Sequence, residues 1–295
     1  MPTQEARSPK KKSRTPEEIS SGFSYESCES DSLDNEFFSC PHLTIVSQTH
    51  RWYYGAMRVE PHTVGSIMHV VKRGARGLPI TRDKADAQRF VRLLYYANDV
   101  YHDEFWEPST KGFDKFYRPD KWPEQEPLVK VLAWTLMSNH FHLVLKEVKE
   151  GGIAKFMQKL CSSMGTHFNK KYKESGSLFQ GSYKGRTADL HGDSYLRLLA
   201  VYVMLKNPFE LYPGGLTKAI RYFDKAYEWA LKQPFCSVGD FAAGKLPPIG
   251  DPDIFGEIFE SPDDFKKFAK ESLLYKLDQL TSKSDLLETE RFGVM

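Results

Sequence analysis

VKVLAWTLMSNHFHLVLKEV, residues 129–148, reads as two β-strands joined by a tight polar turn. Val129 to Leu136 is apolar and suited to a strand, Met137-Ser138-Asn139 supplies the turn, and His140 to Val148 runs back. Side chains alternate along a strand, so His140 and His142 fall on one face while Phe141, Leu143 and Leu145 take the other. One face is core; the other carries two imidazoles. Two histidines at i, i+2 on a rigid strand can aim their nitrogens at one cation. The same spacing suits a pair of solvated or hydrogen-bonded surface histidines, and by itself leaves both readings open.

Upstream, Ser66-Ile67-Met68-His69-Val70-Val71 reads as a strand that enters a glycine turn from Lys72 to Gly77. His69, like His62 and His167, reads as an ordinary core or surface histidine. Between Asp83 and Val100, Ala87, Phe90, Leu93 and Leu94 recur at helical spacing. Glu107 to Pro127, with its Pro and Trp residues, is an irregular insertion. Downstream, the pattern predicts a long helix over 153–173, a glycine-containing loop over 174–186, and a shorter helix over 194–206 that Pro208 stops. Strand, helix, hairpin, helix, helix is an α+β order.

Past Tyr212-Pro213-Gly214-Gly215, helical patterns cover 218–232 and 261–281, with a Pro/Gly-rich link between them. Residues 1–49 are rich in Ser, Glu, Lys and Pro, a composition that predicts a disordered tail. Its basic run, Arg7 to Arg14, suits a solvated charge cluster, a phosphate contact or a nuclear address, and the acidic stretch from Glu26 to Glu36 largely cancels it. The expected organisation is therefore a tail (1–49), a catalytic α+β domain (50–215) and a helical C-terminal appendage (216–295) in which nothing suggests chemistry.

Composition narrows the class. The 295 residues are 40% hydrophobic and 14% aromatic, enough for a genuine core. With 41 Lys+Arg against 39 Asp+Glu the formal charge is only +2, so a nucleic-acid partner has to be argued from local charge. Cys28, Cys40, Cys161 and Cys236 form no CxxC pair, against both a disulfide framework and a cysteine-built zinc site. No apolar run approaches the roughly 20 residues that span a bilayer, and no signal sequence opens the chain. A soluble protein of the cytoplasm, nucleoid-associated or nuclear if eukaryotic, is expected.

Local charge does collect in one region. Lys170, Lys171, Lys184 and Arg186 lie in sequence around Phe168, Tyr172, Phe179 and Tyr183. Cations along a backbone with π faces for stacking are what single strands use, although a solvated helix end with core aromatics has the same look. Arg73 and Arg76 sit in a glycine turn that can approach phosphate closely, although an ordinary turn has the same composition.

Leu136-Met137-Ser138-Asn139-His140-Phe141-His142-Leu143-Val144 resembles the LMPNHxHLL signature of single-tyrosine HUH transposases, the insertion-sequence-200-like and REP-associated group. Ser66 to Gly74 resembles the opening strand and RG turn of that family, and Phe168 to Tyr172 with Gly176 to Lys184 resembles its FN and GxLFQGRYK segments, Ser182 replacing the usual Arg. Tyr195 to Pro208 is similar to the family helix that ends in YIxLNP and carries the nucleophile. The resemblance, over roughly residues 60–240, implies a ferredoxin-like antiparallel sheet with packed helices, Tyr202 as nucleophile, His140 and His142 as ligands of Mg2+ or Mn2+, and single-stranded or hairpin DNA as partner. It further implies cutting and rejoining through a 5′-phosphotyrosine, by a monomer or a homodimer.

Read without the resemblance, Tyr202 is a packed aromatic on an amphipathic helix, and Tyr172 and Tyr183 are rival nucleophiles. The family places a third metal ligand four residues after the tyrosine, where this chain has Lys206. Either a helix bulge or a frayed end brings Asn207 to the metal, or the site is incomplete. An incomplete site implies a protein that binds hairpin DNA and does not cut it.

Overall fold

The structure is a computed structural model that describes residues 59–292, with side chains through residue 279. The predicted tail, its basic run, Cys28 and Cys40 lie outside the described residues. The elements that position the site are β1 (Ile67–Arg73), α1 (Lys84–Tyr96), β2 (Val129–Leu136), β3 (His140–Glu147), α2 (Gly152–Tyr172) and β4 (Lys184–Thr187). They form one four-stranded sheet in the order β2-β3-β1-β4 with every neighbouring pair antiparallel. Strand, helix, two strands, helix, strand in this spatial order is the ferredoxin-like α+β arrangement.

Strand alternation divides the sheet chemically. Met68, Val70, Trp134, Phe141, Leu143 and Leu145 point to one side and are buried with Phe90, Leu94, Phe156 and Leu160 of α1 and α2. Each such side chain contributes about 1.5–3 kcal/mol when fully buried, so this layer fixes the register of the sheet. The register then dictates the other face: Arg73 pairs with His140, Val71 with His142, and His69 with Val144, while Thr135 of β2 lies opposite His142.

That second face is covered by α3 (Asp193–Val201), a π-helical turn (Tyr202–Lys206) and α4 (Asn207–Glu210). Beyond them come α5 (Gly215–Arg221), α6 (Phe223–Ala230), α7 (Val238–Ala242), α8 (Asp253–Ile258) and α9 (Pro262–Phe292). The segment expected to be an appendage covers the outer edge of β2: Leu136 donates to the Phe235 carbonyl at 2.9 Å and Ser237 donates to the Trp134 carbonyl at 3.0 Å. Lys130 and Lys146, on β2 and β3, hold Asp253 at 2.9 and 2.8 Å. An edge strand is thereby closed against further pairing.

Three expectations need correcting. The loop predicted over 174–186 ends in a strand, β4, too short for alternation to reveal and interrupted by Gly185. A Cβ at that glycine would lie 2.8 Å from Met68 Cε, so a larger residue there would displace the end of the methionine side chain. The helix over 218–232 is two helices broken at Tyr222, and the Pro/Gly-rich link contains α7 and α8. Pro208 does not stop the preceding helix; it stands in the first turn of α4, which continues from the π turn.

Candidate nucleophile and metal site

The π turn follows from Pro208. A proline inside an α-helix lacks an N–H and clashes with the carbonyl four residues before it. Here the turn is widened, so that Asn207 donates its N–H to the carbonyl of Tyr202, five residues back. In that pattern the Val203 carbonyl would accept from residue 208, which has nothing to donate. The Thr135 hydroxyl of β2 donates to it instead. One hydroxyl thus pins the irregular turn to the strand opposite His142.

Tyr202 is carried onto the histidine face. It is 1% exposed, its ring centroid is 5.4 Å from that of His142 and 5.7 Å from that of His69, and it meets both edge-on. His140 and His142 are themselves 5.0 Å apart between centroids. His140 Nδ1 lies 2.6 Å from Asn139 Oδ1, and since that oxygen can only accept, the ring carries its proton on Nδ1 and its lone pair on Nε2. His142 Nδ1 lies 3.0 Å from His69 Nε2, the two rings nearly parallel with centroids 5.2 Å apart. Burial holds the His142 pKa well below the ordinary value of 6.5, and His69, His140, Lys206 and Arg73 push the same way. It is a neutral imidazole, the form that ligates metals.

Lys206 and Asn207 part company. The Lys206 ammonium is buried beside Glu210 at 2.5 Å and sits 4.9 Å from the centre of the Tyr202 ring. Asn207 is also buried, and its Nδ2 has no hydrogen-bond partner. A buried amide without a partner is costly, as expected of a group shaped for something else. Among the described residues no group of three or more His, Cys, Asp or Glu side chains could hold a metal ion. A neutral His142, a His140 whose Nδ1 is turned to Asn139, and an Asn207 side chain that also carries a carbonyl oxygen are donor types that fit a divalent cation tolerant of nitrogen and oxygen.

The expected DNA-contacting residues separate by layer. Arg73, on β1, and Lys184 and Arg186, on β4, are in register with His140, Val71 and His69 and share the histidine face. Arg186 also pairs with Glu60 at 3.4 Å. Lys170 and Lys171 lie on the last turn of α2, the helix layer across the sheet, where Lys171 pairs with Asp83 at 2.6 Å and Asp86 at 2.7 Å. The rival tyrosines sit on that far side too. Tyr172 hydrogen-bonds Asp86 at 2.7 Å, and Tyr183 packs against the core, where burial raises its pKa.

The residue that sequence reasoning passed over is His69. Its alternation on β1 was visible, but only the β1–β3 register places it diagonally across from His142.

The fold thus sets one buried tyrosine against paired histidines on a ferredoxin-like sheet. Residues 124–204 match the family model described as "Transposase IS200 like". The match opens just before β2, takes in both histidines, and ends inside the π turn beyond Tyr202. Over those residues the chain is similar to the IS200-like transposase family. A solved structure described as a REP-associated tyrosine transposase bound to a REP hairpin overlaps 65% of this chain and 91% of its own, at 11% identity and a TM-score of 0.35. No curated protein matches the chain. Among the described residues no helix is long and apolar enough to cross a membrane.

Proposed function

We propose that this protein cuts and rejoins single-stranded DNA, at a hairpin, with Tyr202 as nucleophile and with His140, His142 and Asn207 as the ligands of Mg2+ or Mn2+. The observation that carries this reading is the Tyr202 ring set edge-on to His142 at 5.4 Å, with the rival tyrosines across the sheet. The cation supplies Lewis-acid polarisation of the scissile phosphate. Tyr202 contributes the attacking oxygen: a bond forms between its Oη and phosphorus, the bond from phosphorus to the 3′ oxygen breaks, the phenolic proton is lost to solvent, and the leaving 3′ oxygen takes up a proton from solvent. The products are a 5′-phosphotyrosine and a strand that ends in a 3′-hydroxyl. Reversal by another 3′-hydroxyl rejoins strands without ATP, because the phosphodiester is conserved. A phenol with a reference pKa of about 10 needs help to ionise, which a bound divalent cation would supply.

A second reading, a hairpin-DNA-binding protein that does not cut, is favoured by the 1% exposure of Tyr202. One experiment separates them. Incubation with labelled hairpin single-stranded DNA and Mn2+ should give an adduct that survives denaturant, and Tyr202→Phe should abolish it while leaving hairpin affinity intact. Binding without an adduct in the unsubstituted protein selects the second reading. An adduct that persists in Tyr202→Phe removes Tyr202 from its role.

A further inference from the structure

We infer that His69 is a positioning residue for His142, holding that imidazole in the tautomer and orientation in which Nε2 faces a cation; this rests on the proposed metal-dependent reading of the same site. The geometry is specific. His69 Nε2 is 3.0 Å from His142 Nδ1, the ring planes lie within 15° of one another, and His69 also meets the Tyr202 ring edge-on. His69 sits on a central strand flanked by β3 and β4, so its place is fixed by two ladders of backbone hydrogen bonds.

The chemistry runs in one direction. Only one of the facing nitrogens can carry the shared proton. If His142 Nδ1 carries it and donates to His69 Nε2, the His142 lone pair is on Nε2 and the ring can ligate through that atom. If His69 donates instead, the Nδ1 lone pair of His142 is consumed by the contact and Nε2 bears a proton that blocks ligation. His140 already obeys the first pattern through Asn139. With His69 in the accepting role, both ligands have the outer nitrogen that metal-bound histidines ordinarily have tied to a neighbour.

Two substitutions isolate the hydrogen bond from the packing. His69→Phe keeps an aromatic ring against His142 and Tyr202 but has no acceptor; His69→Gln restores an acceptor close to the place of Nε2. Titration of the full chain with MnCl2 alone, followed by calorimetry, should show affinity weakened by about 10–100-fold in His69→Phe and close to that of the unsubstituted protein in His69→Gln. Ring 15N spectra of the metal-free protein should show His142 protonated at Nδ1, and a mixture of tautomers in His69→Phe. Unchanged Mn2+ affinity in His69→Phe, equal losses in both variants, or an Nε2-protonated His142 in the unsubstituted protein would each overturn the inference. Mn2+ binding that follows the expected series without any DNA adduct would sink the cleavage reading and leave this one standing.

Discussion

Asn207 and Tyr202 are joined by a backbone hydrogen bond that spans five residues, and this one widened turn decides which side chain follows the tyrosine around the helix. In a regular α-helix residues 202 and 206 share a face, and 206 is lysine, a cation that cannot ligate a metal. The wider turn advances the register by one, and the ammonium is drawn off to Glu210. Asn207→Ala should lower Mn2+-dependent adduct formation roughly tenfold or more, the scale on which even outer-shell changes act at metal sites. Asn207→Asp, which keeps an oxygen donor, should retain most of it. Full activity in Asn207→Ala would take Asn207 out of the ligand set.

Thr135 holds that turn in place. Thr135→Val preserves shape but leaves the buried Val203 carbonyl without its side-chain donor, and Pro208 has no N–H to replace it. A loss of about 1–3 kcal/mol in stability is expected, read from urea unfolding, with Thr135→Ser recovering most of it. An unshifted midpoint in Thr135→Val would mean that the hydroxyl is dispensable to the turn.

The parts of this molecule that sequence made visible are those written in local periodicity. The β2–β3 hairpin was legible because apolar residues alternate along both strands, and α1 and α2 because theirs recur at helical spacing. The four residues of β4 carry too little pattern, and their strand character comes from pairing with β1, more than a hundred positions away. Residues 235–237 look like a turn and act as an edge cover for β2. At the site, the rings of His140 and His142 lie 5.0 Å apart and those of His142 and Tyr202 5.4 Å apart. The bulge is legible only through Lys206 in a ligand's position, and Pro208, which reads as a stop, is its cause. The role of His69 is not legible in sequence, since its partner is defined by register between distant strands.

The network that ties α1 to α2 makes a pH-dependent statement. Burial opposes ionisation of Asp86, yet hydrogen bonds from Lys171, the Arg82 amide and Tyr172 outweigh it and bring its pKa down from 3.8 to about 2. A carboxylate whose pKa is depressed by folding contributes stability that is full above the unfolded value and is lost as pH falls through the folded one. Urea midpoints should therefore drop as pH is lowered from about 4 toward 2, and Asp86→Asn should flatten that part of the slope. If the variant titrates like the unsubstituted protein, Asp86 does not set the acid limb.

Salt dependence tests which basic residues meet DNA. Arg73, Lys184 and Arg186 stand in register on the histidine face, and Lys170 and Lys171 on the helix layer across the sheet. A single strand whose phosphate reaches Tyr202 must cross the first face, and each phosphate neutralised there contributes about 0.7 to the slope of log affinity against log salt. Lys184→Ala and Arg73→Ala should each weaken hairpin binding and flatten that slope by roughly this amount. Lys171→Ala should leave the slope unchanged and cost stability instead, because its ammonium is already committed to Asp83 and Asp86. Fluorescence anisotropy over a salt series reads the first effect and thermal unfolding the second. A slope that falls with Lys171→Ala and holds with Lys184→Ala would put the DNA on the other side of the sheet, away from the tyrosine.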